Sequence, residues 1–282
     1  MRVKHHYYYE AKAYLISFLE KNKISYKVSD LPESKNKLCT FDLYEDQEAY
    51  RNFRNQFFFL SKNDSIKSIE YSKKEIESAE WLTVRSMNTK VQWEYEEKAF
   101  RKTCFYKRLF IKELYYRHSE QVDILSVTKT VKWGAKQYFS GPNAADDLLF
   151  CSEKAKGLLN NRWIGLEFWP VKKYNSSEYC SDLYQLVFGN DLPVEAISGG
   201  ESIVCDGCGK KIVRFVEGIQ KLEIRKEYLK NPGQVYRTGD VLTEQRKGCT
   251  TFSLNIVPQE FYQYCEENRM NRGMIYEPIQ LI

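Results

Sequence analysis

Histidine is almost missing from this chain: among 282 residues only His5, His6 and His118 carry an imidazole. That leaves few routes to triad, proton-shuttle or metal chemistry of the kind that relies on histidine. His118-Ser119-Glu120 holds the residue types of a hydrolytic triad, but adjacency in sequence is not triad geometry, and no nucleophile-elbow pattern supports it. Gly199-Gly200 is followed neither by a P-loop Lys-Ser/Thr nor by a GxGxxG run, so phosphate cradling has no support. No uncharged apolar stretch is long enough to span a bilayer. Neither charge sign dominates: 43 basic against 38 acidic residues leave a net +5. Over this length that is short of the clustered basic face that nucleic-acid binding needs, and membrane-surface binding is equally unforced.

The opening segment, Met1 to Glu10, has basic residues but no apolar core and no small-residue cleavage site, which argues against a secretory signal. The eight cysteines then read as reduced thiols of a cytoplasmic protein, most of them buried as small apolar residues. His5-His6, in a Tyr-rich start, reads as a solvated or half-buried pair, and a metal role for it needs partners that the sequence does not show.

What is present suits a mixed fold. The length favours two domains over one. Hydrophobic residues at 43% supply a core, and the 15% aromatic content, mostly Tyr and Phe, favours sheets over helix bundles. The spacing of Ala13, Leu15, Ile16, Phe18 and Leu19 predicts a helix. Residues 24–28 and 38–43 predict a hairpin, and a second helix follows with Glu45, Asp46 and Glu48 near its start and Tyr50, Phe53 and Phe57 on its apolar side. The expected architecture is α+β, with an αββα region over residues 1–65, a candidate recognition domain, and a larger sheet-rich region over 66–282.

In the second region Ser72-Lys73-Lys74-Glu75 is a capping box, and Trp81 to Val84 reads as a strand. Ser152 opens a short helix as N-cap, and Gly165 to Val171 is a strand closed by proline. Near the end, Pro258 stands in the first turn of another short helix, and Gly273 to Ile279 follows. The ends GLEFWPV and GMIYEPI match in register at Gly, an apolar residue, an aromatic, Pro and a β-branched residue. Each unit is preceded by a run with an acidic start, Asp146 to Phe150 and Asp240 to Leu242. An internal duplication of one helix-strand unit is the expectation, against two unrelated turns.

The sharpest motif is Cys205-Asp206-Gly207-Cys208-Gly209, half of a tetrahedral zinc site on a tight turn, with Gly209 free to take a positive φ. A closed site needs two more ligands. Cys104-Phe105-Tyr106-Lys107 has lysine at the second cysteine position, and nothing in the spacing selects Cys180, Cys249 or His118. A metal-free turn, a structural zinc held by Cys205 and Cys208, and a redox dithiol are all open, although a redox motif wants a helix next, where Ile212 to Val216 reads as a strand. Asp146-Asp147 reads as an acidic turn sooner than an acid–base pair. The runs Tyr7-Tyr8-Tyr9, Phe57-Phe58-Phe59 and Tyr115-Tyr116-Arg117 read as alternating core and rim of a sheet sooner than as base-stacking platforms. Exposed members could anchor a protein partner. No catalytic residues are assigned.

The segment from Thr238 to Ile279, with the Pro258 helix and the Gly273 ending, resembles bacterial immunity proteins of polymorphic toxin systems. The Cys205-x-x-Cys208-Gly209 turn is similar to one half of the double-CXXCG proteins, and Ser72 to Trp81, then Cys104, followed by Leu149 to Val171, look like related uncharacterised bacterial proteins. The resemblance covers residues 66 to 282. It implies that the chain binds a cognate protein toxin without enzymatic chemistry. It departs from the double motif at Lys107. The rival expectation is a zinc-knuckle module associated with nucleic acid.

Overall fold

The computed structural model describes residues 1–30, 36–58, 65–87, 90–93, 100–108, 114–121, 123–142, 148–204, 209–215, 221–245 and 248–282, with the backbone alone for 66, 93, 100–108, 114–120, 242–245 and 248–251. The chain is α+β and divides into two compact units, Met1–Glu75 and Ile76–Ile282. Among the described residues no helix is long and apolar enough to cross a membrane.

The first unit begins with a strand that the αββα expectation lacks. β1 (Arg2–Glu10) is followed by α1 (Ala13–Lys21), β2 (Tyr26–Asp30), β3 (Lys37–Tyr44), α2 (Glu48–Gln56) and β4 (Ser65–Glu70). The strands lie in the order β2-β3-β1-β4, and every pair is antiparallel. This is the β-α-β-β-α-β order of a split βαβ sheet. Strand β4 falls almost wholly in the stretch assigned from the sequence to the second region, but it pairs with β1 in the first sheet, so the first unit runs on to Glu75 rather than ending at 65.

Alternation decides which side each strand residue faces. His5, Tyr7 and Tyr9 on β1 and Cys39, Phe41 and Leu43 on β3 are buried, and the aromatic and aliphatic ones share a core with Leu15, Phe18 and Leu19 of α1 and Tyr50 and Phe53 of α2. Leu15, Phe18 and Leu19 stand at i, i+3 and i+4, one face of a helix. Tyr7 stacks on Phe41 at 5.2 Å and tilts against Phe53 at 4.8 Å, contacts worth about 0.5–1.5 kcal/mol each beyond their burial.

At the end of the unit the capping box forms as the sequence requires. The backbone N–H of Ser72 donates to Glu75 at 2.8 Å and the Glu75 N–H donates to the Ser72 hydroxyl at 3.3 Å. It opens α3 (Lys73–Ser78).

The second unit carries the duplication, and pairing makes it specific. Strand Leu149–Cys151 leads into α4 (Glu153–Leu159) and then Leu166–Lys173; strand Asn255–Pro258 leads into α5 (Gln259–Glu267) and then Met274–Pro278. Ser152 and Pro258 are the N-caps, and Asn160 and Asn268 the C-caps. Each helix is followed by a residue of positive φ, Asn161 (58°) or Arg269 (57°), and four residues later by a glycine of positive φ, Gly165 (84°) or Gly273 (82°).

In both units the strands before and after the helix flank one antiparallel central strand, Tyr179–Phe188 in the first and Trp81–Ser86 in the second. Leu149 and Phe168 both face Leu186, as Asn255 and Tyr276 both face Val84. Pro170 faces Tyr184, and Pro278 faces Leu82. Beyond the proline the first strand shifts register between Pro170 and Lys172, and the second breaks at Ile279 before resuming as Gln280–Leu281. Each then pairs in parallel with a further strand, Lys172 beside Ser126 and Gln280 beside Glu223. The bonds Lys172 N–H to Leu125 C=O and Gln280 N–H to Leu222 C=O are both 2.9 Å.

One part of the sequence reading is corrected. The counterpart of Leu149–Cys151 is Asn255–Pro258. The run beginning at Asp240 enters strand Val241–Gln245, which pairs with Lys211–Phe215 and Gly248–Phe252 in a separate four-stranded sheet. An acidic start followed by apolar residues marks a strand without saying which sheet it joins.

The two helices meet over one core. Ala155, Leu159, Leu186, Leu82, Val84, Phe261 and Cys265 are buried in it. Trp163 lies 5.4 Å from Phe261, and the Tyr264 hydroxyl donates to Leu158 C=O at 3.0 Å.

Candidate binding surface

The face of the first sheet opposite its helices carries the even residues of β1 and β3. The register sets Lys4 opposite Tyr44, His6 opposite Asp42 and, on the β4 side, Arg2 opposite Glu70. Their side chains join in one network. Arg2 holds Asp46 through two bonds of 2.8 and 2.9 Å, and its guanidinium lies 4.0 Å from the centre of the Tyr44 ring. The Tyr44 hydroxyl donates to Glu70 at 2.9 Å. Lys4 sits 2.7 Å from Glu70 and 3.7 Å from Asp42. His6 bonds Asp42 through Nδ1 and meets the edge of Tyr8 at 4.4 Å.

Proton affinities follow these contacts. The Lys4 ammonium holds the Glu70 carboxyl below its usual range, and Glu70 raises Lys4 in return. The Glu70 carboxylate also pushes the Tyr44 phenol up, and Arg2 holds Asp46 down. Arg2 with Asp46, and Lys4 with Glu70, are therefore charged and paired at neutral pH.

A groove of about 660 Å³ adjoins it, lined by His6, Asp42 and Tyr44, with Lys27, Lys23 and Glu48 around them. It exists because β2 is short: its first residue, Tyr26, faces Phe41, so residues 42–44 of β3 have no β2 partner. In the second unit an open groove of about 810 Å³ between Trp81, Lys226, Lys230 and Glu260 has mixed charge.

The two adjacent histidines divide between the faces. His6 is one-third exposed in the network, while His5 is 3% exposed beneath the sheet. His5 Nε2 lies 2.8 Å from Glu45 Oε1, and Nδ1 lies 2.9 Å from Ser65 Oγ. Burial lowers its pKa, against the pull of Glu45, so the ring is neutral; Nε2–H then donates to the carboxylate and Nδ1 accepts from the hydroxyl. Ser, His and Glu are the residue types of a hydrolytic relay, but a ring so enclosed cannot face a substrate, and the trio pins β1 to β4 and the β3–α2 turn.

The other sequence candidates are only partly among the described residues. Cys205 and Cys208 lie outside the described residues, as do Asp146-Asp147. Gly209, directly after, has φ +72°, the positive value expected of it. Cys104 and Lys107 are not on a turn: they lie within strand Phe100–Arg108, where Cys104 pairs with His118 across the hairpin. Cys39, Cys151, Cys180 and Cys265 are free and buried, and burial raises all four thiols, Cys265 to about 12. Such thiols are poor nucleophiles and ligands. Among the described residues no three His, Cys, Asp or Glu side chains gather to hold a metal ion.

Gly199 turns with φ +78°, and a Cβ on Gly200 would meet Val213 Cγ1 at 2.3 Å, so this pair serves close packing of a hairpin. The Tyr run alternates as a half-buried strand should, with Tyr7 and Tyr9 buried and Tyr8 exposed; Phe57 is buried and Phe58 exposed. Phe59 and the side chains of Tyr115, Tyr116 and Arg117 lie outside the described residues.

No family model, curated protein or solved structure matches the chain. The likeness to immunity proteins rests on the quoted motifs alone.

Proposed function

We propose that this protein acts by binding a protein partner, a bacterial toxin that it blocks, in the cytoplasm. The observation that carries the reading is the network from Asp46 through Arg2, Tyr44, Glu70, Lys4 and Asp42 to His6 and Tyr8. It offers positive, negative and aromatic groups whose positions are already set by their neighbours. Side chains held before binding lose less freedom on contact, and a fixed pattern of both charge signs selects a partner by complementarity. Exposed Tyr8 supplies an aromatic anchor beside the groove. The motif resemblance supports a toxin as the partner.

The test is co-expression with the product of the neighbouring gene. The expected result is growth arrest by that product alone, relief by this chain, and a complex weakened by Lys4→Ala with His6→Ala. A harmless neighbour and no retained protein partner would sink the reading.

The positive φ of Gly209, after the Cys205-x-x-Cys208 motif, supports a second reading, a zinc-knuckle module that touches nucleic acid. It requires one zinc per chain and nucleic-acid binding that weakens steeply with salt. Purified protein without zinc after growth in zinc-supplemented medium removes it.

A further inference from the structure

We infer that residues 81–282 are two copies of one unit fused head to tail, and that each copy gives its first strand to the other. The first copy runs Trp81–Ser86, Gln92–Trp93, the hairpin Phe100–Arg108 with Leu114–Gln121, Ser126–Lys129, Phe139–Ser140, Leu149–Cys151, α4 and Leu166–Lys173. The second runs Tyr179–Phe188, Ile197–Ser198, the hairpin Glu201–Val204 with Lys211–Phe215, Glu223–Ile224, Tyr236–Thr238, Asn255–Pro258, α5 and Met274–Pro278 with Gln280–Leu281. The order of these elements is the same. Strand Asp191–Leu192 and the pair Val241–Gln245 and Gly248–Phe252 are additions to the second copy.

The neighbours in the sheets are the same as well. Ser126–Lys129 pairs antiparallel with Gln92–Trp93, and Glu223–Ile224 pairs antiparallel with Ile197–Ser198. Phe139–Ser140 borders Leu149–Cys151, and Tyr236–Thr238 borders Asn255–Pro258. Even the bonds that leave the central strands repeat: Gly189 N–H donates to Gly165 C=O at 2.7 Å, and Met87 N–H to Gly273 C=O at 2.8 Å.

The central strands alone are crossed over. Trp81–Ser86, first in the first copy, lies between Asn255–Pro258 and Met274–Pro278 of the second. Tyr179–Phe188, first in the second copy, lies between Leu149–Cys151 and Leu166–Lys173 of the first. Neither copy holds the centre of its own sheet. A central strand has partners on both edges, so without it two rows of backbone groups and the apolar side chains against it are exposed. The arrangement is the single-chain form of a two-fold dimer that exchanges a strand, and the surface each half presents is made for a copy of itself.

The experiment uses the full chain with a protease site in the turn Tyr174–Glu178, between the two hairpin-joined strands. All five tryptophans precede residue 175. Trp81 packs at 5.6 Å on Tyr236, and Trp163 at 5.4 Å on Phe261, both beyond the cut. After cleavage the protein is expected to elute as one particle with unchanged tryptophan emission. Separated in urea and diluted alone, the fragment through the cut is expected to emit at longer wavelength and to recover its native emission only when the other fragment is added, one to one. Dissociation on cutting, or native emission from that fragment alone, overturns the inference.

A second variant leaves the turn intact. Ser86 and Met274 are directly opposed across the exchange as a non-hydrogen-bonded pair, where side chains approach most closely. Ser86→Cys with Met274→Cys is therefore expected to form an intramolecular disulfide under mild oxidation. Free thiols in both positions of the folded protein overturn it.

Discussion

Gly165 and Gly273 hold the same post: each has φ above 80°, follows its helix by the same interval and begins a strand opposite the end of a central strand, Leu166 facing Phe188 and Met274 facing Ser86. Left-handed backbone resists any side chain, at about 1–3 kcal/mol. At Gly165 an added Cβ would also stand 1.7 Å from Asn190 Nδ2, which donates to Ile164 C=O and Val235 C=O. Gly165→Ala is therefore expected to lower the urea midpoint more than a left-handed glycine alone predicts. No loss, within error, would refute this account of the corner.

Ser152 accepts from the Ala155 N–H at 3.3 Å and caps α4. Ser152→Ala is expected to cost about 0.5–2 kcal/mol, read by equilibrium unfolding. Because Ser152 is buried, a neutral result would mean that the cap contributes nothing here.

Phe261 is fully buried between the two helices' shared neighbours. Phe261→Ala is expected to cost about 3–5 kcal/mol. Tyr264→Phe removes only the hydroxyl bond to Leu158 and is expected to cost about 0.5–1.5 kcal/mol. Equal losses from the two variants would contradict the placement of the core.

The first unit has its own acid sensitivity. The pKa of His5 is lowered in the folded state by burial, so below about pH 6.5 the unfolded chain takes up a proton that the folded chain refuses. Stability of that unit therefore falls as pH drops from about 6.5 toward the depressed folded value, and is untouched by His5 above it. His5→Gln is expected to flatten this slope while leaving the steeper carboxylate loss at lower pH. An unchanged slope in the variant would assign it to other groups.

Lys4→Ala breaks the pairs with Glu70 and Asp42. At a partly exposed site this is expected to change stability by under about 1 kcal/mol yet weaken partner binding by about tenfold or more. Titration calorimetry against the captured partner decides it, and unchanged affinity would move the interface elsewhere.

The sequence shows what residue type alone dictates. Positive φ at glycine, proline in a strand and serine capping a helix are all local, and through them the paired ends at 165–171 and 273–279 are legible. Pro170, however, shifts the register of its strand and does not close it, since the strand runs on to Lys173. Strand β1 is only partly legible: the Tyr7-Tyr8-Tyr9 run reads as core and rim of a sheet, but buried Tyr7 and Tyr9 and exposed Tyr8 are the same amino acid, so no alternation of type marks the strand's bounds or faces. The binding face is hidden for another reason: Lys4, Tyr44 and Glu70 meet only through the register of three strands. The crossed central strands are the least visible of all, since antiparallel partners from Trp81–Ser86 to Met274–Pro278 are joined by no local pattern.

Ribosomes make this exchange costly in time. Trp81–Ser86 emerges long before Asn255 and Met274 begin the strands that will enclose it, and at about 5–20 residues per second the wait is on the order of ten to forty seconds. Through that interval an apolar strand stands open on both edges beside nascent neighbours on the same message. The exchange thus leaves the nascent chain open to pairing with other copies until its second half arrives, a hazard that the finished molecule does not show.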